Sequence, residues 1–256
     1  LWAFNDLLVI HVDPETARQL PPSEKFLPRV YRSASFGSLA TFFVLDTRQY
    51  RTVQPCGDGV KPKCPEVYSP DATIMGRAQE DWLYDGLGRS ASRWNVLAQQ
   101  VMIADVVRGT TPERRYNMDK WSGYDRDRDR LLGFLHDRRV ANPVVLTGDI
   151  HSNWVNDLKL DFRDMRSPTV ASEFVGTSLS SGGDGANTRA SMEGLYSQNP
   201  FVKFWNGQRG YVRCRVTPGL WTSDYRVVDY VTRRGSPIST RASFVVEEGK
   251  AGVVQA

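Results

Sequence analysis

No apolar run in this chain approaches the ~20 residues needed to cross a bilayer. No block of single-sign charge is present either, and clustered basic residues are what a nucleic-acid interface requires. The Gly-X-Ser-X-Gly signature of a serine hydrolase is missing, and only three histidines are available to any triad. No internal repeat occurs, which excludes a solenoid. The chain opens at Leu1-Trp2-Ala3-Phe4, without an initiator Met or a signal peptide.

What is present fits an ordinary globular body. At 256 residues, one large domain is the default. A hydrophobic fraction of 40% is enough for a core, and a mean hydropathy of −0.43 indicates a well-solvated surface. Net charge is +4 with a pI near 9.0, a mild bias. Acids and bases interleave in Asp125-Arg126-Asp127-Arg128-Asp129-Arg130, which reads as a solvated helix face with local ion pairs.

Periodicity gives a coarse organisation. Leu39–Leu45 is an apolar strand, followed by a Pro/Gly-rich loop over 51–72. Gly76–Arg89 reads as a helix with Met75, Gln79, Trp82, Leu83 and Leu87 on one face. Trp94–Ala98 is a strand. Residues 105–124 are polar and irregular, a candidate lid. Tyr124–Val140 is a helix with Leu131, Leu132 and Leu135 inward. Val144–Thr147, leading to the motif below, and Thr169–Val175 are strands. Residues 176–208 are Ser-, Gly- and Asn-rich, then loop or helix. Tyr211–Val216, Tyr225–Val231 and Ala242–Glu247 read as strands. Alternating strands and helices followed by a β-rich end indicate an α/β class rather than all-β. Cys214 alternates with Val212 and Val216, the pattern of a buried core thiol.

The stretch richest in chemistry is Val144-Val145-Leu146-Thr147-Gly148-Asp149-Ile150-His151-Ser152. A buried strand ends at glycine, and a carboxylate and an imidazole follow two residues apart. At a strand end residues two apart point to the same side, so Asp149 and His151 converge at the carboxyl edge of a sheet, where ligands usually sit. A carboxylate beside an imidazole suits iron, zinc or manganese. A solvated Asp-X-His turn is the alternative.

Gly148-Asp149-Ile150-His151-Ser152-Asn153-Trp154-Val155-Asn156-Asp157-Leu158 resembles the last metal-binding motif of the PhoD-type alkaline phosphatases, a branch of the calcineurin-like metallophosphatases. Four further blocks resemble that family in the same order. They are Phe43–Arg51, Trp94–Met102, Glu173–Ser178 running on to Gly182-Gly183-Asp184-Gly185, and Arg209–Cys214 with Asp224–Val228. The likeness runs from about Arg29 to the C-terminus and leaves residues 1–28 unassigned.

The resemblance implies a partial metallophosphatase-type sandwich of mixed β-sheets flanked by helices. It implies hydrolysis of small-molecule phosphate esters, both mono- and diesters, by metal-activated hydroxide. Asp149 and His151 are then the metal ligands, and iron with calcium the ions. A modest positive bias helps gather phosphate esters. The family's early aspartates and its Trp-Asp-Asp-His-Glu-like block do not occur here. Residues 29–256 are therefore expected to be the C-terminal part of a single domain, and the chain alone nearly inactive. A metal-poor structural or binding module is the rival reading. Phe201 stands where the family has histidine, which puts that position in doubt.

Smaller candidates follow. Arg48 is placed for a bidentate phosphate contact, or else lies on the surface or pairs with Asp46. Asn156 and Asp157 orient the motif, or else serve a cap or turn, and Asn156 is a further candidate for substrate contact. Gly182–Gly185 admits an anion to backbone N–H groups, or is a flexible turn. His136 reads as a partner for a helix C-terminal dipole. His11 lies outside the resemblance. Cys56 and Cys64 flank a short loop with no nearby zinc ligands, and the exported location implied by the family makes a disulfide the expectation. That location is secreted or periplasmic. A monomer is favoured.

Overall fold

The computed structural model describes residues 29–109, 113–187, 192 and 194–256, so His11 and segment 1–28 lie outside the described residues. In chain order the strands are β1 (Arg32–Phe36), β2 (Ala40–Val44), β3 (Val60–Lys61), β4 (Trp94–Ala98), β5 (Tyr116–Asn117), β6 (Pro143–Thr147), β7 (Asn153–Lys159), β8 (Thr169–Val175), β9 (Val202–Asn206), β10 (Gly210–Val216), β11 (Leu220–Val228), β12 (Ile238–Glu247) and β13 (Val254–Gln255). The helices are α1 (Arg77–Arg89), α2 (Asp125–Asp137) and the short α3 (Leu195–Gln198).

Seven strands form a mixed sheet in the order β1-β2-β4-β6-β8-β7-β9, and four form an antiparallel sheet in the order β10-β11-β12-β13. The period-2 alternation of the large sheet divides two cores. Trp94, Val96, Val144, Val155 and Phe174 face the small sheet, where they meet Trp221, Tyr225, Phe244 and Val246. Leu97, Val145, Trp154 and Val175 face the other way, toward Leu83 and Leu87 of α1 and Leu131, Leu132 and Leu135 of α2. The α/β class and the β-rich end expected from sequence are what the chain adopts. Among the described residues, no helix is long and apolar enough to cross a membrane.

Several sequence expectations are corrected. β7 is a strand without a sequence expectation and β9 replaces the loop or helix expected there, because Asn153, Asn156, Asp157, Lys203 and Asn206 interrupt their apolar alternation. Among the described residues of 105–124, the candidate lid, Met118, Trp121 and Tyr124 are buried in the core instead. The Asp125–Arg130 run is not a solvated face, since Asp125, Asp127 and Arg128 are buried. Charges so placed need partners. Arg128 pairs with Asp105 at 2.9 Å and Asp125 at 2.8 Å, and Lys63 reaches the same two carboxylates at 2.8 and 2.7 Å. Asp127 accepts from Thr73 Oγ1 at 2.6 Å and the Ile74 N–H at 2.7 Å. Cys214 is exposed rather than core, because β10 is an edge strand with one flank uncovered.

Cys56 and Cys64 form the expected disulfide, with Cα atoms 5.8 Å apart. The bridge closes the loop that carries Lys63 into the buried acidic pair.

Glu80 of α1 joins the two long helices. Its carboxylate accepts from Arg130 Nε at 2.6 Å, Arg77 Nη1 at 2.7 Å and Tyr84 Oη at 3.0 Å. Burial works against its charge, but Arg130, Arg77 and Tyr84 outweigh burial and hold its carboxyl below the ordinary range. A depressed folded pKa contributes stability that is present above the unfolded value of about 4.3 and lost as pH falls through the folded value. Glu80→Gln should therefore lower unfolding free energy by about 1–3 kcal/mol at neutral pH. That gap should narrow below about pH 4. Urea unfolding of both proteins across this range checks it, and a gap independent of pH would contradict the pairing.

Candidate functional site

β2, β4, β6 and β8 run parallel to one another, so their carboxyl ends share one edge of the sheet. β7 is antiparallel to β8 and to β9, which brings the end of β9 to the same edge. Ligands collect at such edges in α/β sheets. The loops that follow are stitched together by short bonds. Thr47 donates its N–H and Oγ1 to Gln100 Oε1 at 2.8 and 2.7 Å. The Gly176 N–H donates to the Thr147 carbonyl at 2.8 Å.

Between β6 and β7 the chain must pass β8, which lies between them in the sheet. Residues 148–152 turn sharply to do so, and the Ile150 N–H donates to the Gly148 carbonyl at 2.8 Å. Asp149 and His151 have φ of +69° and +55°. Such conformations cost about 1–2 kcal/mol for a residue with a Cβ. The expected extended geometry, with both side chains on one side of a strand, is thus replaced by a left-handed turn.

Asp149 lies in a cluster of charge. Arg48 Nη2 donates to its Oδ1 at 2.7 Å, and Lys120 Nζ pairs with its Oδ2. Arg48 also grips Asp119 through two bonds of 2.9 and 3.2 Å. Arg51 adds 2.7 Å to the same carboxylate, and Gln54 donates to it as well. The side chains of Arg48, Arg51, Asp119 and Asp149 are each 21–24% exposed. The cluster holds three cations (Arg48, Arg51, Lys120) and two carboxylates (Asp119, Asp149), a net charge of +1. Burial opposes ionisation of Asp149, but Lys120 and Arg48 overcome it and hold the carboxyl below its usual range. Arg48 and Arg51 do the same for Asp119 against its burial. Burial also opposes the charge of Arg48, and Asp119 and Asp149 reverse it, raising the guanidinium's pKa.

The sequence candidates therefore separate. Arg48 and Asp149 meet directly. Arg48 does not pair with Asp46, whose Oδ1 instead accepts the Arg48 and Gln49 N–H groups, each at 2.9 Å. His151 is exposed on the same turn, and its backbone carbonyl accepts from Arg209 Nη1 at 2.6 Å. Asn156 serves no cap or turn: it is buried in β7, where Nδ2 donates to Glu173 at 3.0 Å. Asp157 ties the motif strand to the C-terminal segment by accepting the Val253 N–H at 2.9 Å. Gly182 and Gly183 present carbonyls to Arg209, at 3.2 and 2.8 Å, rather than N–H groups to an anion. Asp184 accepts from the Val231 and Thr232 N–H groups at 2.7 and 2.9 Å. His136 lies in the last turn of α2, as the dipole reading expected. Phe201 is a core side chain against Phe162, ring centroids 4.8 Å apart.

Sequence reasoning missed Asp119, Lys120, Arg51, Glu173 and Arg209. Glu173 alone left a signal. It is a charged residue on the inward face of β8, alternating with Ala171 and Val175. It is buried and accepts from the Ile103 N–H at 2.8 Å, the Ala104 N–H at 3.2 Å, Thr147 Oγ1 at 2.9 Å and Asn156 Nδ2 at 3.0 Å.

Among the described residues, the only three His, Cys, Asp or Glu side chains grouped closely enough for a metal are Cys56, Cys64 and Glu66. The two cysteines are consumed by the disulfide. Among the described residues no third ligand joins Asp149 and His151, and both Asp149 oxygens are engaged by cations.

Comparison with known proteins adds to this geometry. A family model described as PhoD-like phosphatase matches residues 14–225, a stretch that begins inside the segment left unassigned above. Alkaline phosphatase D of Bacillus subtilis (strain 168) is 47% identical over 225 residues, covering 88% of this chain and 39% of that protein. The solved structure of PhoD superposes with a TM-score of 0.86 at 46% identity, covering 89% of this chain and 44% of that one. The chain thus spans less than half the length of these relatives.

If the Arg48–Asp119 pair is as tight as its two-bond geometry, Arg48→Met and Asp119→Asn should be non-additive. A double-mutant cycle in urea should return a coupling of about 1–2 kcal/mol. Coupling near zero would mean that the pair is solvated and that the cluster is not organised.

Proposed function

We propose a phosphate-ester hydrolase function for this chain, which belongs to the PhoD-like phosphatase family. The observation that carries the reading is the edge itself. Loops after β2 and β6 bring Arg48 to Asp149, Lys120 joins Asp149 from a third segment, Arg51 joins through Asp119, and His151 follows on the same turn as Asp149. The excess positive charge favours a small phosphate mono- or diester, and Arg48 offers a planar fork suited to phosphoryl oxygens. Exchange of Arg48 from Asp149 to a phosphoryl oxygen would free one carboxylate oxygen, the other remaining paired with Lys120.

In this family reading the site is metal-dependent, and iron and calcium are the ions we propose. A bound metal supplies hydroxide at neutral pH by lowering the pKa of its water to about 7. Asp149 offers a carboxylate that suits either ion, and His151 an imidazole that suits iron. Two side chains fall short of the roughly three protein ligands a catalytic metal needs. The described residues do not complete a metal site, and the remaining ligands come from outside them. Residues 29–256 then act as one part of a single catalytic domain. The Cys56–Cys64 disulfide fits a secreted or periplasmic location.

The test is hydrolysis of an aryl phosphate and a bis-aryl phosphate with iron and calcium added. It compares this chain with a protein extended to its relatives' length. Turnover is expected from the longer protein and nearly none from this chain. In the longer protein, His151→Ala should abolish turnover and remove one metal equivalent. Unchanged rate and metal content in that variant would overturn the role of His151. Equal turnover by both proteins would show that the ligand set is complete within this chain.

A further inference from the structure

We propose that Arg209 is the positioning residue for His151, an assignment whose catalytic meaning rests on the hydrolase reading above. Arg209 is 1% exposed. Its guanidinium spans the loops after β6 and β8. Nη1 donates to the His151 carbonyl at 2.6 Å, with Thr177 Oγ1 at 3.4 Å. Nη2 and Nε donate to the carbonyls of Gly182 and Gly183 at 3.2 and 2.8 Å. A planar fork donates in several fixed directions at once, which an ammonium cannot reproduce.

The base from which Arg209 reaches is rigid. Its carbonyl accepts the Val228 N–H at 2.9 Å, and the Gly210 N–H donates to the Ser178 carbonyl at 3.2 Å. Gly210 has φ of +152°, and a Cβ there would lie 1.9 Å from the Arg226 carbonyl oxygen, so only glycine admits this junction. On the other side, Gly182 has φ of +82°, and a Cβ would meet Arg209 Nη2 at 3.1 Å. The guanidinium therefore sits between backbone segments that leave it little room.

His151 needs such an anchor. Its imidazole is exposed, and its backbone is held at φ of +55°. The backbone sets the Cα–Cβ direction from which the ring projects, and the Arg209 bond to the His151 carbonyl holds that backbone.

The chain carries three histidines, His11, His136 and His151, so their ring protons resolve by NMR and can be assigned by single substitutions. The test is Arg209→Lys in the full chain. The expected result is a cooperatively folded variant in which the His151 ring signals move and broaden while those of His136 stay in place. In a longer protein that shows turnover, kcat should fall about 100-fold, the penalty of a misplaced group. KM should stay within about twofold. A folded Arg209→Lys chain with unmoved His151 signals would overturn the assignment. Should that variant fail to fold, Gly182→Ala displaces the same fork from its far side, and unmoved His151 signals there would overturn it equally. Moved signals combined with a wild-type longer protein that lacks turnover would support the positioning role and overturn the hydrolase reading instead.

Discussion

The carboxyl edge of the large sheet depends on one buried carboxylate. Glu173 sits on β8 beneath the segment that follows β4. It accepts two backbone N–H groups from that segment, one hydroxyl from the end of β6 and one amide from β7. Burial pushes its carboxyl above the ordinary range, against the four donors. A group so placed stays in a folded protein only because the donors surround it, and loss of any one leaves an unsatisfied buried atom. The network continues outward. Gln99 donates to Thr147 Oγ1 at 2.7 Å and accepts from Trp121 Nε1 at 3.2 Å. Trp121 directly follows Lys120, which pairs with Asp149. The core that supports the sheet and the cluster that faces solvent are thus one connected structure.

Two kinds of charge therefore serve two purposes. Glu173, Asp125, Asp127 and Arg128 lie inside and set the course of the backbone. Asp149, Asp119, Arg48 and Arg51 lie half-open at the edge, where their oxygens and nitrogens remain within reach of solvent. Arg48 and Lys120 both pair with the Asp149 carboxylate. That arrangement keeps the carboxylate ionised.

Much of the fold is legible in the sequence, because β2, β4, β6, β8 and both long helices carry clear apolar periods. β7 and β9 are not, because strands beside a polar network replace apolar residues with Asn, Asp and Lys, and the period disappears. Asp149, His151 and Arg48 were readable from strand ends and a family motif. Asp119 and Lys120 were not, because they sit in a non-periodic stretch whose burial depends on tertiary contacts alone. The interleaved charges of 125–130 misled for a related reason. Composition cannot distinguish ions paired with each other in solvent from ions paired with Asp105 and Lys63 in the interior.

The most direct test of this dependence is native-state hydrogen exchange at the amides of Ile103 and Ala104, in wild type and in Glu173→Gln. With the carboxylate in place, both amides should exchange as slowly as those of Val96 and Val145 in the sheet. In the variant they should open locally, at least about tenfold faster relative to the sheet amides, a loss of about 1.4 kcal/mol. Equal protection of Ile103 and Ala104 in the two proteins, relative to the sheet, would show that the edge is held without Glu173.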